Sequence, residues 1–208
     1  PAVARIIVPN RDGMSLGSGS LVAVTPTHGL FVTNWHVVRD ASGTITVAFP
    51  NGFRSAATVL RIDRDWDLAA LAIWKPNVQP IPLATAAPQP GETLTIAGYG
   101  KGDYRASSGR CTQYFSPGGN LPHEIVELGT SAREGDSGGP ILNGRGELSG
   151  VLFGTSVGLF GRTMGSYCGR VRWFLAPAAT ELDRMPGPET LIARQQPGPA
   201  TVASAGTP

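Results

Sequence analysis

The chain has 208 residues, of which 41% are hydrophobic and 15% charged, and its formal net charge is +2 at pH 7. That length supports one large or two small hydrophobic cores, and so even a charge balance, with no Lys/Arg block, leaves no electrostatic footprint for a nucleic-acid partner. No apolar run approaches the roughly 20 residues a membrane-spanning helix needs, while 28 glycines and 18 prolines disfavour long helices and favour turns.

Short β-like runs follow one another in chain order at 5–8, 20–24, 30–33, 44–49, 57–62, 68–74, 93–97, 125–128, 141–142 and 148–153. Between them stand turn signals: Asn10-Arg11-Asp12-Gly13, His28-Gly29, Ser42-Gly43, Asn51-Gly52, Gly118-Gly119-Asn120 and Asn143-Gly144. Asn-Gly and Asp-Gly tolerate positive φ and so make tight hairpins. Strands at this spacing predict an all-β sandwich or barrel, and no βαβ alternation argues for a doubly wound sheet. Five prolines (76, 80, 82, 88 and 90) make residues 76–90 an extended connector between two β halves. Residues 171–175 are expected to open a short terminal helix that packs Trp173 or Phe174 onto the body. From residue 186 the chain is too poor in large apolar groups to offset its ordering entropy and is expected to be a disordered tail. Cys111 and Cys168 are either one disulfide or two buried thiols, and their spacing fits no zinc pattern.

The stretch Arg133-Glu134-Gly135-Asp136-Ser137-Gly138-Gly139-Pro140 carries the most chemistry. A nucleophilic serine needs a turn that exposes its hydroxyl and aims backbone N–H groups at a substrate carbonyl oxygen, here those of Gly135 and Ser137. Glycines at 138 and 139 let a substrate backbone come close. Two further clusters supply what such a serine requires. His36 ends the apolar run Phe31-Val32-Thr33-Asn34-Trp35, and Asp67 stands at the mouth of Leu68-Ala69-Ala70-Leu71-Ala72-Ile73. A carboxylate beside such a run must be paired if buried, and a histidine N–H is a suitable partner. Chain order narrows the enzyme type. Gly135-x-Ser137-x-Gly139 also matches the nucleophile elbow of α/β-hydrolases, but that order needs a histidine after the serine, and His28, His36 and His123 all precede it. The order Asp, His, Ser would need Asp12, which sits in a turn without supporting pattern. The order His, Asp, Ser remains.

These motifs resemble those of chymotrypsin-like serine peptidases. Thr33-Asn34-Trp35-His36-Val37-Val38 and the preceding Gly19-Ser20 are closest to the bacterial Deg-type (high-temperature-requirement) branch, and Asp67-Leu68-Ala69-Ala70-Leu71 resembles that family's acid motif. The resemblance covers roughly residues 5–176. It implies two six-stranded antiparallel Greek-key β-barrels packed face to face within a peptidase domain over 1–185, with barrels near 5–75 and 91–176. It also implies a His36–Asp67–Ser137 triad with no metal or cofactor, acting on a protein or peptide. Gly150 to Gly154 is similar to the strand that pairs with substrate, so Phe153 and Gly154 are expected at the site, and Gly165 is expected in the last wall of the specificity pocket. Ser131, six residues before Ser137, falls at the pocket base and implies a preference for apolar or uncharged side chains. The family style also implies a bacterial, extracytoplasmic protein.

One position departs from the Deg-type pattern. Asp136 is typical of members whose freed N-terminal amine pairs with that aspartate, yet Arg5-Ile6-Ile7-Val8 lacks the glycines that follow an activation site. A buried carboxylate there needs a basic partner, and Arg133 and Arg162 are the candidates. Two other functions fit the same residues: a catalytically silent binding module, and a hydrolase of small esters or amides.

Overall fold

The structure is a computed structural model, and it describes residues 1–155 and 162–187. The tail expected from residue 186 therefore lies, from 188 onward, outside the described residues. Strands β1 (Val3–Asn10), β2 (Gly13–Val24), β3 (His28–Thr33), β4 (Ile45–Ala48), β5 (Arg54–Asp63) and β6 (Leu68–Trp74) close a first barrel in the order β1-β2-β3-β6-β5-β4. Strands β7 (Thr93–Gly98), β8 (Arg105–Phe115), β9 (Ile125–Leu128), β10 (Pro140–Leu142), β11 (Leu148–Thr155) and β12 (Thr163–Tyr167) close a second in the order β10-β11-β12-β9-β8-β7. A one-turn helix α1 (Trp35–Val38) follows β3, and α2 (Cys168–Asp183) follows β12. This is the two-barrel, all-β architecture that the sequence motifs imply, with a C-terminal helix.

The period of two along a strand explains why β6 is apolar at almost every position. Ala69, Leu71 and Ile73 point into the first barrel beside Ile6, Leu21 and Phe31. Leu68, Ala70 and Ala72 point the other way, into a cluster with Leu30, Val32 and the α2 residues Val171, Phe174, Leu175 and Leu182. Helix α2 follows the second barrel and packs against the outside of both, on β3, β5 and β6 of the first and on β11 and β12 of the second. It is the short C-terminal helix expected, running from Cys168 to Asp183. Phe174 is its buried aromatic, whereas Trp173 stays 66% exposed with the Arg170 guanidinium 4.9 Å from its ring. A third cluster, including Leu94, Val126, Leu128, Ile141 and Leu152, fills the second barrel. Each fully buried large aliphatic contributes about 1.5–3 kcal/mol relative to exposure.

Two strands differ from the sequence reading in being absent from it. β8 is largely solvent-facing, with Cys111 its one buried position, so it has no apolar alternation to detect. β12 is short and held between β9 and β11 by Gly165 and Ser166. Cys111 and Cys168 are both buried free thiols, the second of the two alternatives, and burial raises the pKa of each. No helix among the described residues is long and apolar enough to cross a membrane.

Candidate active site

The site lies between the barrels. Strand β3 ends at Thr33, the chain turns at Asn34, and α1 presents His36. Opposite it, the turn before β6 presents Asp67. The carboxylate of Asp67 accepts from His36 twice: Oδ1 takes the backbone N–H at 2.8 Å and Oδ2 the ring Nδ1–H at 2.5 Å. The backbone carbonyl of Asp67 accepts from Asn34 Nδ2 at 2.8 Å and from Trp35 N–H at 3.3 Å. Since an ionised carboxylate only accepts, Nδ1–H is the donor of this bond, which leaves Nε2 as the ring nitrogen facing away from Asp67.

Asp67 is the one non-glycine among the described residues with positive φ, at 50°. That left-handed conformation costs an L-residue free energy and persists where the surroundings over-determine it. Here they do. Asp63 Oδ1 accepts the N–H groups of Asp65 (3.1 Å) and Trp66 (3.2 Å) and shapes the turn. Trp66 is buried beneath Arg170, whose guanidinium lies 4.4 Å from its ring centroid, and its carbonyl accepts Ser166 Oγ at 2.7 Å. The second barrel and α2 thereby hold the loop that carries Asp67.

Ser137 reaches the cleft from the loop between β9 and β10. Residues 133–136 form a turn closed by Asp136 N–H to the Arg133 carbonyl at 3.0 Å, with Gly135 at φ +89°. Positive φ at the third position alone is the type II arrangement, which demands glycine. A Cβ at Gly135 would also run into the Gly100 carbonyl. The N–H groups of Gly135 and Ser137 have no backbone acceptor among the described residues, and both residues line the same cleft. That cleft, about 480 Å³, is lined by His36, Ser137, Gly135, Met14, Leu16 and Val37 among others. His36 and Ser137 share it without a direct hydrogen bond between them.

Asp136, 5% exposed, points away from the cleft into a shell of donors. Arg133 supplies three: its backbone N–H (2.8 Å) and Nε (3.2 Å) to Oδ2, and an Nη to Oδ1 (3.0 Å). Gly100 N–H adds another at 2.9 Å. Of the two candidate partners, Arg133 is the one the structure joins to Asp136. Arg162 instead binds the buried Glu127 at 2.7 Å. Burial works to raise the Glu127 pKa, but hydrogen bonds from Thr112, Arg162 and Gln113 outweigh it and hold the carboxyl below its ordinary value. Residues 5–8 lie within β1, paired to β2 and to β4.

Beside Ser137 a second hollow of about 190 Å³ is lined by Ala132, Arg133, Glu134, Ser137, Leu152 and Gly154. Of the expected substrate-contacting residues, Gly154 lines it. Ser131 is an exposed residue at the edge of this loop, Phe153 packs partly buried against the α2 cluster, and Gly165 is buried in β12 opposite Leu152. Sequence reasoning passed over Ser18, Arg133's full set of bonds and the cleft wall at Met14 and Leu16. The signal that could have found the first is Gly17-Ser18-Gly19, where neither glycine admits a side chain: a Cβ at 17 meets Val37, and one at 19 meets Phe31. Among the described residues no group of three His, Cys, Asp or Glu could hold a metal ion.

The trypsin-like peptidase domain model matches residues 17–151, which takes in His36, Asp67 and Ser137. The chain belongs to that family. It is 28% identical over 171 residues to the serine protease Rv3671c of Mycobacterium tuberculosis, covering 76% of this chain and 41% of that protein. It is 33% identical over 144 residues to the periplasmic serine endoprotease DegP of Salmonella typhimurium, covering 66% of this chain and 30% of that protein. The chain thus spans less than half the length of either relative. The crystal structure of Rv3671c protease in its active form superposes with a TM-score of 0.75 at 24% identity, covering 85% of this chain and 80% of that one, and shows a shared fold. Within this trypsin-like peptidase domain, the barrels are the common frame, and the Asp136–Arg133 pair is a feature read from this chain itself.

Proposed function

We propose that this trypsin-like peptidase domain is a serine endopeptidase that cuts protein or peptide substrates with His36, Asp67 and Ser137. The observation that carries the reading is the twofold acceptance of His36 by Asp67, on the same cleft as Ser137 and the Gly135 turn. His36 Nε2 takes the proton of Ser137 Oγ as that oxygen attacks the peptide carbonyl. The N–H groups of Gly135 and Ser137 receive the negative charge that develops on the carbonyl oxygen. His36 then gives its proton to the leaving amine, and Asp67 keeps the ring oriented and stabilises it while charged. Water, activated by His36, releases the acyl group from Ser137 in the same way.

The hollow beside Ser137 supports a preference for small, uncharged side chains before the cut bond. Ala132, Leu152 and Gly154 offer no charge, and the Arg133 guanidinium is committed to Asp136. Glu134, at the rim, is paired with Lys101 at 2.9 Å. The peptidase reading assigns residues 1–185 to one domain. Relatives described as periplasmic support an extracytoplasmic location.

A fluorophosphonate probe tests the nucleophile. The expected result is covalent labelling of the wild-type chain and none of Ser137→Ala. Equal labelling of both, or of neither, would overturn the reading. A peptide library should then give cleavage after Ala or Val well above cleavage after Arg or Lys, and the reverse order would refute the pocket assignment.

A further inference from the structure

Ser18 is fully buried on β2, in the first barrel, yet it holds the nucleophile loop of the second. Beyond the Ser20–Val32 pair, β2 stays paired to β1 but no longer to β3, and the Ser137 loop takes the side β3 leaves. Ser18 N–H donates to the Ser137 carbonyl at 2.8 Å, and Ser18 Oγ donates to the Gly135 carbonyl at 2.9 Å. The same Oγ accepts the Tyr99 N–H at 2.9 Å, and the Ser18 carbonyl accepts Thr33 Oγ1 at 2.8 Å. Every polar group of the residue is therefore used, and its hydroxyl has no freedom to rotate away.

The two carbonyls it captures flank the groups that matter. The Ser137 N–H belongs to the peptide unit between 136 and 137, whose carbonyl accepts Gly139 N–H at 2.9 Å. With the carbonyls of Gly135 and Ser137 drawn toward Ser18, the units before and after that peptide are fixed as well. The unit carrying the Ser137 N–H is thereby flanked on both sides by units held from outside the loop, and the Gly135 N–H adjoins the unit whose carbonyl Ser18 Oγ holds. Through Thr33, Ser18 is also tied to the strand that leads directly into His36.

Resting on the peptidase reading above, we infer that Ser18 is a positioning residue for the oxyanion turn. Its hydroxyl registers the Gly135 and Ser137 N–H groups, mounted on one barrel, against His36, mounted on the other. It touches no reacting atom, so its effect should appear in the chemical step and not in substrate affinity. Such a residue should matter less than a direct donor, whose removal costs about 100- to 1,000-fold in kcat.

The test compares Ser18→Ala, Ser18→Cys and Ser18→Thr with wild type, counting competent sites by fluorophosphonate titration and measuring kcat per titrated site. Ser18→Ala and Ser18→Cys should lower kcat per site about 10- to 100-fold, with KM changed by less than about twofold. Affinity for a peptide boronate, whose tetrahedral adduct places an oxygen between the two N–H groups, should fall in proportion. Ser18→Thr, which keeps the hydroxyl, should recover kcat to within about threefold. The inference is overturned if the loss appears only as fewer titrated sites at unchanged kcat per site, or if KM rises alone. It is equally overturned if Thr is no better than Ala. Cysteine matches serine in shape, so it provides the loss arm even where alanine prevents folding. A wild-type chain that takes no probe would refute the nucleophile reading itself, and the Ser18 inference with it.

Discussion

The two halves of the site are built differently. Both residues of the His36–Asp67 half come from the first barrel, thirty-one apart in sequence, and bond directly to each other, with Ser166 and Arg170 steadying the Asp67 loop from behind. The Ser137 half is a glycine-rich turn. It is held by Arg133 and Gly100 on the Asp136 side and by Ser18 from the opposite barrel. A paired acid and base can be fixed locally, whereas an array of backbone N–H groups must be braced from around it, because a backbone carries no side chain with which to hold itself.

This contrast can be broken from either side. The largest effect is expected at the acid–base pair. Asp67→Asn should lower kcat about 10,000-fold with the fold intact, because an amide can donate to Nδ1 and stabilise the wrong tautomer. A loss under tenfold would show that Asp67 does not orient His36. Next comes the turn itself. Gly135→Ala forces a side chain onto positive φ and into Gly100, and should cost about 100- to 1,000-fold in kcat while Asp67 and His36 stay in place. Retention of full kcat would mean the turn is not the oxyanion site. Arg133→Ala should sharpen the comparison by removing bracing alone. It leaves the Asp136 carboxylate buried without its cation, and we expect about 2–3 kcal/mol of lost stability, discounted for the partial exposure of Arg133. Activity per site should fall with it, and Arg133→Lys should restore only part, since one ammonium cannot replace the forked contact. An unchanged denaturation midpoint would refute the role of this pair. The smallest effect is expected away from the site, at Glu127. Its carboxyl is held below the ordinary range, so its contribution is present at neutral pH and lost as pH falls through the depressed folded value. Arg162→Ala should cost about 1 kcal/mol at pH 7, and that difference should vanish in acid.

The sequence made the first half more legible than the second. β6 could be read because both of its faces meet apolar surroundings, so its pattern is continuous. β8 could not, because Arg105, Ser107, Arg110 and Gln113 face solvent or hydrogen-bonding partners and their order follows no core. The three side chains proposed to react stand out because each terminates or interrupts a strong local pattern. The positive φ of Asp67 leaves no trace in the letters around it, since it is imposed by Asn34, Trp35 and the loop beneath. The need for a cation beside Asp136 followed from the cost of burying a carboxylate, but the choice between Arg133 and Arg162 required knowing that Glu127 claims the latter. Ser18 escaped notice because its importance lies in what its neighbours in space lack, and nothing local in Gly17-Ser18-Gly19 says which loop comes to it.

The position of α2 bears on when the site comes into being. A ribosome releases all six strands of the first barrel by Trp74, but the outer face formed by Leu30, Val32, Ala70 and Ala72 is covered in stages, first by residues of the second barrel such as Leu148 and Val151 and finally by residues 171–182. The Asp67 loop likewise waits for Ser166 and Arg170. A nascent chain therefore carries His36, Asp67 and then Ser137 before the residues that steady the Asp67 loop have been made. Docking of the helix is thus expected as the closing step of assembly, with the cleft finished only once it is in place.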